Sequence, residues 1–308
     1  MTTVRALELF CGIGGFAAAA AGRGISIVGA LDQDPTALAV YRLNFPEHAA
    51  RQRDLERTGA AELAAFGADF WWLSPPCQPY CVRGARRDLA DPRARSLVRV
   101  MEVLAELADG ALPNCLALEN VEGFAHSQAH ARLLTILTSR GYHLHERLLC
   151  PTELGVPSRR PRYYLAASRI PFTPPHPPVP RDLRPLSDYL LGSRAAGYTR
   201  TLGISAAIRA KFGSGLRVLD AGDLAAYTTC FTAGYGKSIM RAGSYLKCSD
   251  GVRFFAPEEI ARLLHFPAEF RFPEGMPLRR KWHLLGNSLS VIAVREVLGA
   301  FRGILPER

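Results

Sequence analysis

LELFCGIGGF, residues 7–16, decides the fold, because glycines at 12, 14 and 15 stand between a short apolar run and an alanine-rich one. Residues 4–10 read as a strand and residues 16–24 as a helix, so the glycines mark the turn that joins them. Glycine at such a turn lets backbone approach a ligand closely, with the amides of the helix N-terminus pointing at it. A second strand, residues 26–32, ends at Asp32, 20 residues beyond Gly12. An acid at that distance hydrogen-bonds a ribose hydroxyl in nucleoside-binding folds of this layout. The pattern is not a full GxGxxG, and a GxGG turn also serves simply to tighten a strand–helix corner. Phe10 either faces a bound cationic nucleoside or fills core, and Asp54 is either a second strand-end acid or a helix cap.

Outward from this turn the alternation continues. Residues 35–45 read as a helix, 69–76 as a strand ending in a loop, 96–109 as an amphipathic helix and 115–121 as a buried strand. Residues 141–150 and 162–168 read as two closing strands. Strands alternating with helices predict an α/β fold with a doubly wound, mostly parallel sheet. Composition then shifts, with prolines at 171, 174, 175, 177, 178, 180 and 185. Such a stretch favours extended polyproline II and reads as a semi-rigid connector. From there to about residue 250 the chain is irregular, as expected of a small target-recognition lobe. Helical periodicity returns after Pro257 and again after the GNSLS stretch at 286–290. The expected division is 1–170 for a catalytic domain, 171–252 for the lobe and 253–308 for a segment returning to the catalytic domain.

With 308 residues and 48% hydrophobic content, the chain can build one sizeable core and a second small lobe. Its net charge of +10 suits a polyanionic partner, although an arginine-rich genome would give the same balance. Seven cysteines, an odd number, show no CxxC pairing of the kind that binds zinc, and reduced thiols in the cytoplasm fit best. His126 and His130 lie four apart with no third ligand in view, so no metal is expected. Neither a secretory leader nor a stretch of about 20 apolar residues is present, which argues against secretion and membrane spanning.

The chemistry concentrates in SPPCQPYCVRG, residues 74–84. Pro75, Pro76 and Pro79 each fix a backbone angle and immobilise Cys77, as a nucleophile requires. Arg83, Arg86 and Arg87 follow closely, and a neighbouring positive charge favours the thiolate. Glu119 and Asn120 come at the end of the strand 115–121, on the sheet edge where ligands of such folds gather. A partly desolvated carboxyl there can carry a proton; the alternative is a helix-capping pair. Arg160 and Arg162 take alternate positions of an expected strand, which would aim both guanidiniums the same way.

LELFCGIGGF, SPPCQPY, LENVEGF, SRRPRYYL and LLGNSLSV, in this order, resemble the motifs of the cytosine-C5 methyltransferases. The stretch TCFTAGYGKSIMRAGSYLK at 229–247, and RFFAPEEIARLLHFPAEFRFPE after it, are similar to the branch that resembles DNA methyltransferases but methylates transfer RNA. The resemblance implies a methyltransferase fold of Rossmann type using S-adenosylmethionine. Phe10, Gly12, Gly14, Asp32 and Asp54 would hold that cofactor, and Asn287 and Ser288 would close its pocket from the far end of the chain. Cys77 would add to C6 of cytosine, Glu119 would hold or protonate N3, and Arg162, helped by Arg160, would grip the carbonyl at C2. Gln78, Arg83, Asn120, Cys230, Phe231, Thr232 and Lys237 would contact the substrate. That substrate is expected to be tRNA, with the anticodon loop of tRNA-Asp favoured and DNA as the alternative, and the protein is expected to be a monomer. The sequence departs from the family at Ser158, where Gln or Asn is usual, and at Cys81, where Ser or Thr is usual. Cys81 could oxidise with Cys77 or do nothing, and the expectation is that it does nothing.

Overall fold

The computed structural model describes residues 3–81, 87–173, 179–192, 199–249, 251–301 and 303–304. The chain forms two units: residues 1–149, 161–176 and 294–308, and residues 150–160 and 177–293.

The first unit is built on seven strands: β1 (Val4–Leu9), β2 (Ile25–Asp32), β3 (Ala50–Gln52), β4 (Phe70–Leu73), β5 (Cys115–Val121), β6 (His143–Leu149) and β7 (Arg162–Ser168). They lie in the order β3-β2-β1-β4-β5-β7-β6. The first five are parallel, and β7 runs antiparallel between β5 and β6. Helices α1 (Gly15–Ala20), α2 (Pro35–Asn44), α3 (Ala60–Ala64), α4 (Arg95–Glu106) and α5 (Gln128–Ser139) intervene. This is the doubly wound, mostly parallel sheet that the alternation predicts. All four residues of β4 are buried, Trp71 and Trp72 among them, as a strand covered on both faces requires.

Register decides where the sheet delivers chemistry. Leu9 pairs with Leu73, and Leu73 with Leu118, so β1, β4 and β5 end side by side. The glycine turn, the thiol loop and Glu119–Asn120 are thereby brought to one edge. Because β7 is antiparallel, its first residue, Arg162, pairs with Val121 at the same edge.

Beneath the glycine turn, Glu8 on β1 is fully buried and accepts a hydrogen bond from the Tyr41 hydroxyl at 3.0 Å. Burial pushes its carboxyl up to about 8, only partly offset by the Tyr41 bond. The folded-state value lies above the unfolded one, so the contribution to stability is full below pH 4.5 and is lost as pH rises through about 8. We expect the unfolding free energy of the wild type to fall by up to ~3 kcal/mol between pH 5 and 7.5 relative to Glu8→Gln, at 1.36 kcal/mol per pH unit. Urea titrations at both pH values measure this; parallel pH profiles would contradict it.

The second unit carries a three-stranded sheet, β8 (Val218–Leu219), β9 (Tyr245–Cys248) and β10 (Gly251–Phe254), in the order β10-β9-β8. Around it lie α6 (Thr199–Leu202), α7 (Ala206–Phe212), α8 (Pro257–Leu263) and α9 (Leu278–Gly286), and α10 (Val291–Leu298) leads out of it. An aromatic cluster forms its core: Phe231 packs on Tyr235 (4.9 Å between ring centres) and Phe255 (5.1 Å), and Tyr235 packs on Trp282 (5.3 Å). Glu259 on α8 is fully buried and forms a fork with Arg253 (2.7 and 2.8 Å), while accepting from the backbone N–H groups of Ala256 and Leu191. These contacts tie residues 253–286 into the lobe. The expected return to the catalytic domain at residue 253 is therefore delayed to Val294, and residues 150–160, assigned by sequence to the catalytic domain, belong to the second unit.

Candidate active site

The thiol loop leaves β4 at Ser74, whose hydroxyl accepts from the Trp72 indole N–H at 2.7 Å. Gln78–Tyr80 forms a single 3-10 turn with Cys77 just before it and Cys81 just after, both half-buried. Pro79 lies within the turn and the Tyr80 ring packs edge-on against Phe124 at 4.9 Å, which fixes the loop onto the segment that follows β5. Asn120 holds it from the other side: its amide donates to the Pro75 carbonyl at 3.2 Å and its carbonyl accepts from the Val121 N–H at 2.8 Å. Asn120 has no exposed surface, so the substrate contact expected of it is replaced by a pin under the thiol loop. The Gln78 side-chain oxygen is buried without a protein partner, which leaves an acceptor beside Cys77 for a substrate donor. Arg83 lies outside the described residues.

Glu119 and Arg162 meet here. They are diagonal neighbours on adjacent strands, and the Arg162 Nε lies 3.1 Å from the Glu119 Oε1. Both side chains are about nine-tenths buried, at 13% and 10% exposure, so the pair is screened little by solvent. Both also act on Cys77. A hydrogen bond with the Cys81 thiol, then burial, push the Cys77 thiol well above its ordinary range, and Glu119 adds to this while the Arg162 guanidinium opposes it. The loop thus stores Cys77 as a thiol, and any change that breaks the Cys81 contact while keeping Arg162 close favours the thiolate.

Arg160 behaves differently from its expected partner. The strand begins only at Arg162, so the two arginines do not alternate along it. Arg160 is 4% exposed and belongs to the second unit. Its guanidinium donates to the carbonyls of Phe231 (3.3 Å), Gly286 (3.3 Å) and Ser288, and to the Cys230 sulfur (3.1 Å). It is spent on clamping two segments of that unit, Cys230–Phe231 and Gly286–Ser288, which corrects the expectation that it helps to grip a substrate carbonyl. The clamp also explains Cys230 and Phe231, expected to touch substrate: one is bound by Arg160, the other is 5% exposed in the aromatic core. Thr232 stabilises its own turn, accepting from the Gly234 N–H at 3.3 Å, and Lys237 alone of these four is exposed. Ser288 offers its carbonyl to Arg160, and Asn287 ends α9 with its amide 3.3 Å from the His283 ring. Gly286 is required by packing, since a Cβ there would lie 2.3 Å from Thr232 backbone.

At the glycine turn, Asp32 accepts from the N–H groups of Gly12 and Asp34, each at 2.8 Å. Burial raises its carboxyl, partly offset by these two bonds. The backbone N–H of Gln33 also bears on the carboxylate, and of its roughly four acceptor sites one is left for a ribose hydroxyl. A Cβ on Gly12 would meet nothing within 4 Å, so the turn borders open space, and these residues fit the sugar of a nucleoside cofactor. Gly14 has another reason to be glycine: at φ 87° a Cβ would sit 2.4 Å from the Phe45 ring. Phe10 adopts a left-handed φ of 59°, a strained conformation for a bulky residue, and is half-buried. Asp54 caps the 3-10 turn Leu55–Arg57 by accepting from the Glu56 N–H at 3.0 Å.

Two contributors escape a reading of the sequence. Asp88, at φ 49°, accepts from the N–H groups of Gln128 and Ala129 and so anchors the chain beyond the thiol loop to the start of α5. Cys150 accepts from the Arg160 N–H at 3.3 Å. Neither lies in a spacing that suggests it, since both partners are remote or on backbone. The His130 ring nitrogen lies 2.5 Å from Glu146, and among the described residues no group of three metal-ligating side chains occurs.

A family model described as C-5 cytosine-specific DNA methylase matches residues 4–189. The tRNA (cytosine(38)-C(5))-methyltransferase of Bos taurus is 30% identical, over 97% of this chain and 99% of that protein. A DNA (cytosine-5)-methyltransferase of Dictyostelium discoideum is 27% identical, over 97% and 94%. The crystal structure of the S. pombe Dnmt2 methyltransferase shares 26% identity and a TM-score of 0.86, covering 98% of this chain and 99% of that one. The family match spans every strand of the seven-stranded sheet, and this chain belongs to the C-5 cytosine-specific DNA methylase family.

Proposed function

We propose that the protein transfers a methyl group from S-adenosylmethionine to C5 of a cytosine in tRNA, in the anticodon loop of tRNA-Asp, through a covalent bond between Cys77 and C6. One observation carries the chemical part: the buried Glu119–Arg162 pair stands within electrostatic reach of the Cys77 thiol. The ring carbon C5 of cytosine is a poor nucleophile until addition at C6 breaks the conjugation. Cys77 makes that addition. Glu119 holds or protonates N3, so the electrons displaced from the ring are accepted there, and Arg162 binds the oxygen at C2. When bound, S-adenosylmethionine supplies an electrophilic methyl group. Loss of the C5 proton then expels the Cys77 sulfur and restores the ring.

The RNA substrate rests on the likeness to the bovine tRNA enzyme and on the Cys-Phe-Thr stretch. An unpaired anticodon base also costs least to bring to a thiol, because little stacking must be lost. The Dictyostelium relative keeps DNA as the second reading. Methyl incorporation into total tRNA and into unmethylated genomic DNA decides between them. Labelling of tRNA is expected, with bisulfite sequencing locating the cytosine; labelling of DNA alone would reverse the assignment.

Asp32→Ala is expected to weaken S-adenosylmethionine binding by ~10–100-fold, the loss of a hydrogen bond to a charged acceptor, together with release of the Gly12 turn. Calorimetric titration reads it directly. An unchanged affinity would remove Asp32 from the cofactor site.

A further inference from the structure

The thiol loop holds a second cysteine on the same turn as the first. The Tyr80 N–H donates to the Cys77 carbonyl at 3.1 Å, which closes the 3-10 turn, and Cys81 comes immediately after it with φ −63° and ψ 127°. The two sulfurs come within hydrogen-bonding reach of each other. Both residues are half-buried, whereas Cys11 and Cys115 are sealed in the core, and none of the seven cysteines is in a disulfide. Pro79 inside the turn limits how far the pair can separate.

We propose that Cys77 and Cys81 are an oxidative modification site: a peroxide converts them into a reversible disulfide that withdraws the nucleophile. This rests on Cys77 being the nucleophile of the proposed function. The Cys77 thiolate attacks one oxygen of the peroxide, the O–O bond breaks, hydroxide leaves, and Cys77 becomes a sulfenic acid. The Cys81 sulfur then attacks the Cys77 sulfur; the S–S bond forms, and the hydroxyl leaves with the Cys81 proton as water. Two electrons pass from the pair to the peroxide, and a dithiol reductant returns two electrons and two protons. The Cys81 contact and burial hold Cys77 as a thiol and Arg162 opposes them, so the step starts from the thiolate formed when the Cys81 contact opens; Cys81 then intercepts the sulfenic acid before a second peroxide drives it to the irreversible sulfinic acid.

The reduced protein is treated with hydrogen peroxide, blocked with iodoacetamide and digested with trypsin. The peptide from Thr58 to Arg83 contains these two cysteines and no other. In the wild type it is expected to carry an internal disulfide, with methyl transfer reduced by at least ~10-fold and restored by dithiothreitol. In Cys81→Ser the same treatment is expected to leave Cys77 as sulfinic or sulfonic acid, with no recovery relative to that variant's own reduced activity. A wild-type peptide without the disulfide, or a Cys81→Ser variant that recovers as the wild type does, overturns the proposal. Trapping on RNA containing 5-fluorocytosine, done on the reduced protein, tests the nucleophile separately. Adduct without disulfide sinks the oxidative pair and leaves the proposed function; disulfide without adduct sinks the nucleophile, and with it the effect on catalysis.

Discussion

Cys77→Ala is expected to lower methyl transfer by ~10⁴-fold or more while leaving S-adenosylmethionine affinity within about twofold of the wild type. Neither Glu119 nor Arg162 can replace a thiol that adds to C6. In the proposed reaction Glu119 and Arg162 polarise the ring, but polarisation alone leaves C5 without the enamine-like electron density that the methyl acceptor needs. The substitution removes one sulfur from a half-buried loop residue, so the cavity it creates is small and the fold is not threatened. The loop also keeps its anchors, because Asn120 still holds the Pro75 carbonyl and Tyr80 still packs on Phe124. The residues proposed to hold the cofactor stand on other strands, with Asp32 at the end of β2 and Gly12 after β1. Single-turnover methylation of tRNA with excess enzyme reads the chemical step, and calorimetry reads the affinity. Activity within about tenfold of wild type would show that the reaction needs no covalent adduct.

The catalytic sheet is legible in the sequence because its elements are local and periodic. Apolar runs mark β1, β2, β4 and β5, and the glycine turn with Asp32 marks their common edge. Strand β3 is not legible: Ala50–Gln52 is three residues, two of them polar, and it forms only by pairing with Ala30–Asp32. Helix α3, five residues long, is equally silent. The spacing of Arg160 and Arg162 misleads for a different reason. A two-residue period holds only inside a strand, and here the strand begins at the second arginine. In the second unit the decisive contacts join residues far apart in sequence, as when Phe231 packs on Phe255 and Tyr235 on Trp282. A motif that reads as a row of substrate contacts is therefore, in part, core. Spacing alone does not place the Cys77 and Cys81 sulfurs close together; the 3-10 turn does.

Arg160→Met is expected to destabilise the second unit by roughly 3–5 kcal/mol, the range for removing one partner from a buried, charge-assisted network. Methionine approaches the length of the side chain but offers no donor. The carbonyls of Phe231, Gly286 and Ser288 would then be buried without the hydrogen bonds that the guanidinium supplies. A single planar group bridges the segments that carry these carbonyls, and Gly286 lets those segments approach so closely that no bulkier backbone arrangement is available. Arg160→Lys is expected to recover less than half of the loss, because an ammonium cannot reproduce the fork that reaches three carbonyls and the Cys230 sulfur. Urea unfolding gives the free energy, and amide hydrogen exchange locates it: protection at Thr229–Thr232 and at Gly286–Ser288 is expected to drop, with protection in β1, β4 and β5 retained. A substrate-gripping Arg160 would give another pattern, with methyl transfer lost, the unfolding midpoint unmoved and exchange at both segments as in the wild type. That result would return Arg160 to the role its position beside Arg162 first suggested, and would leave the aromatic cluster and the Arg253–Glu259 pair among the contacts that hold the second unit together.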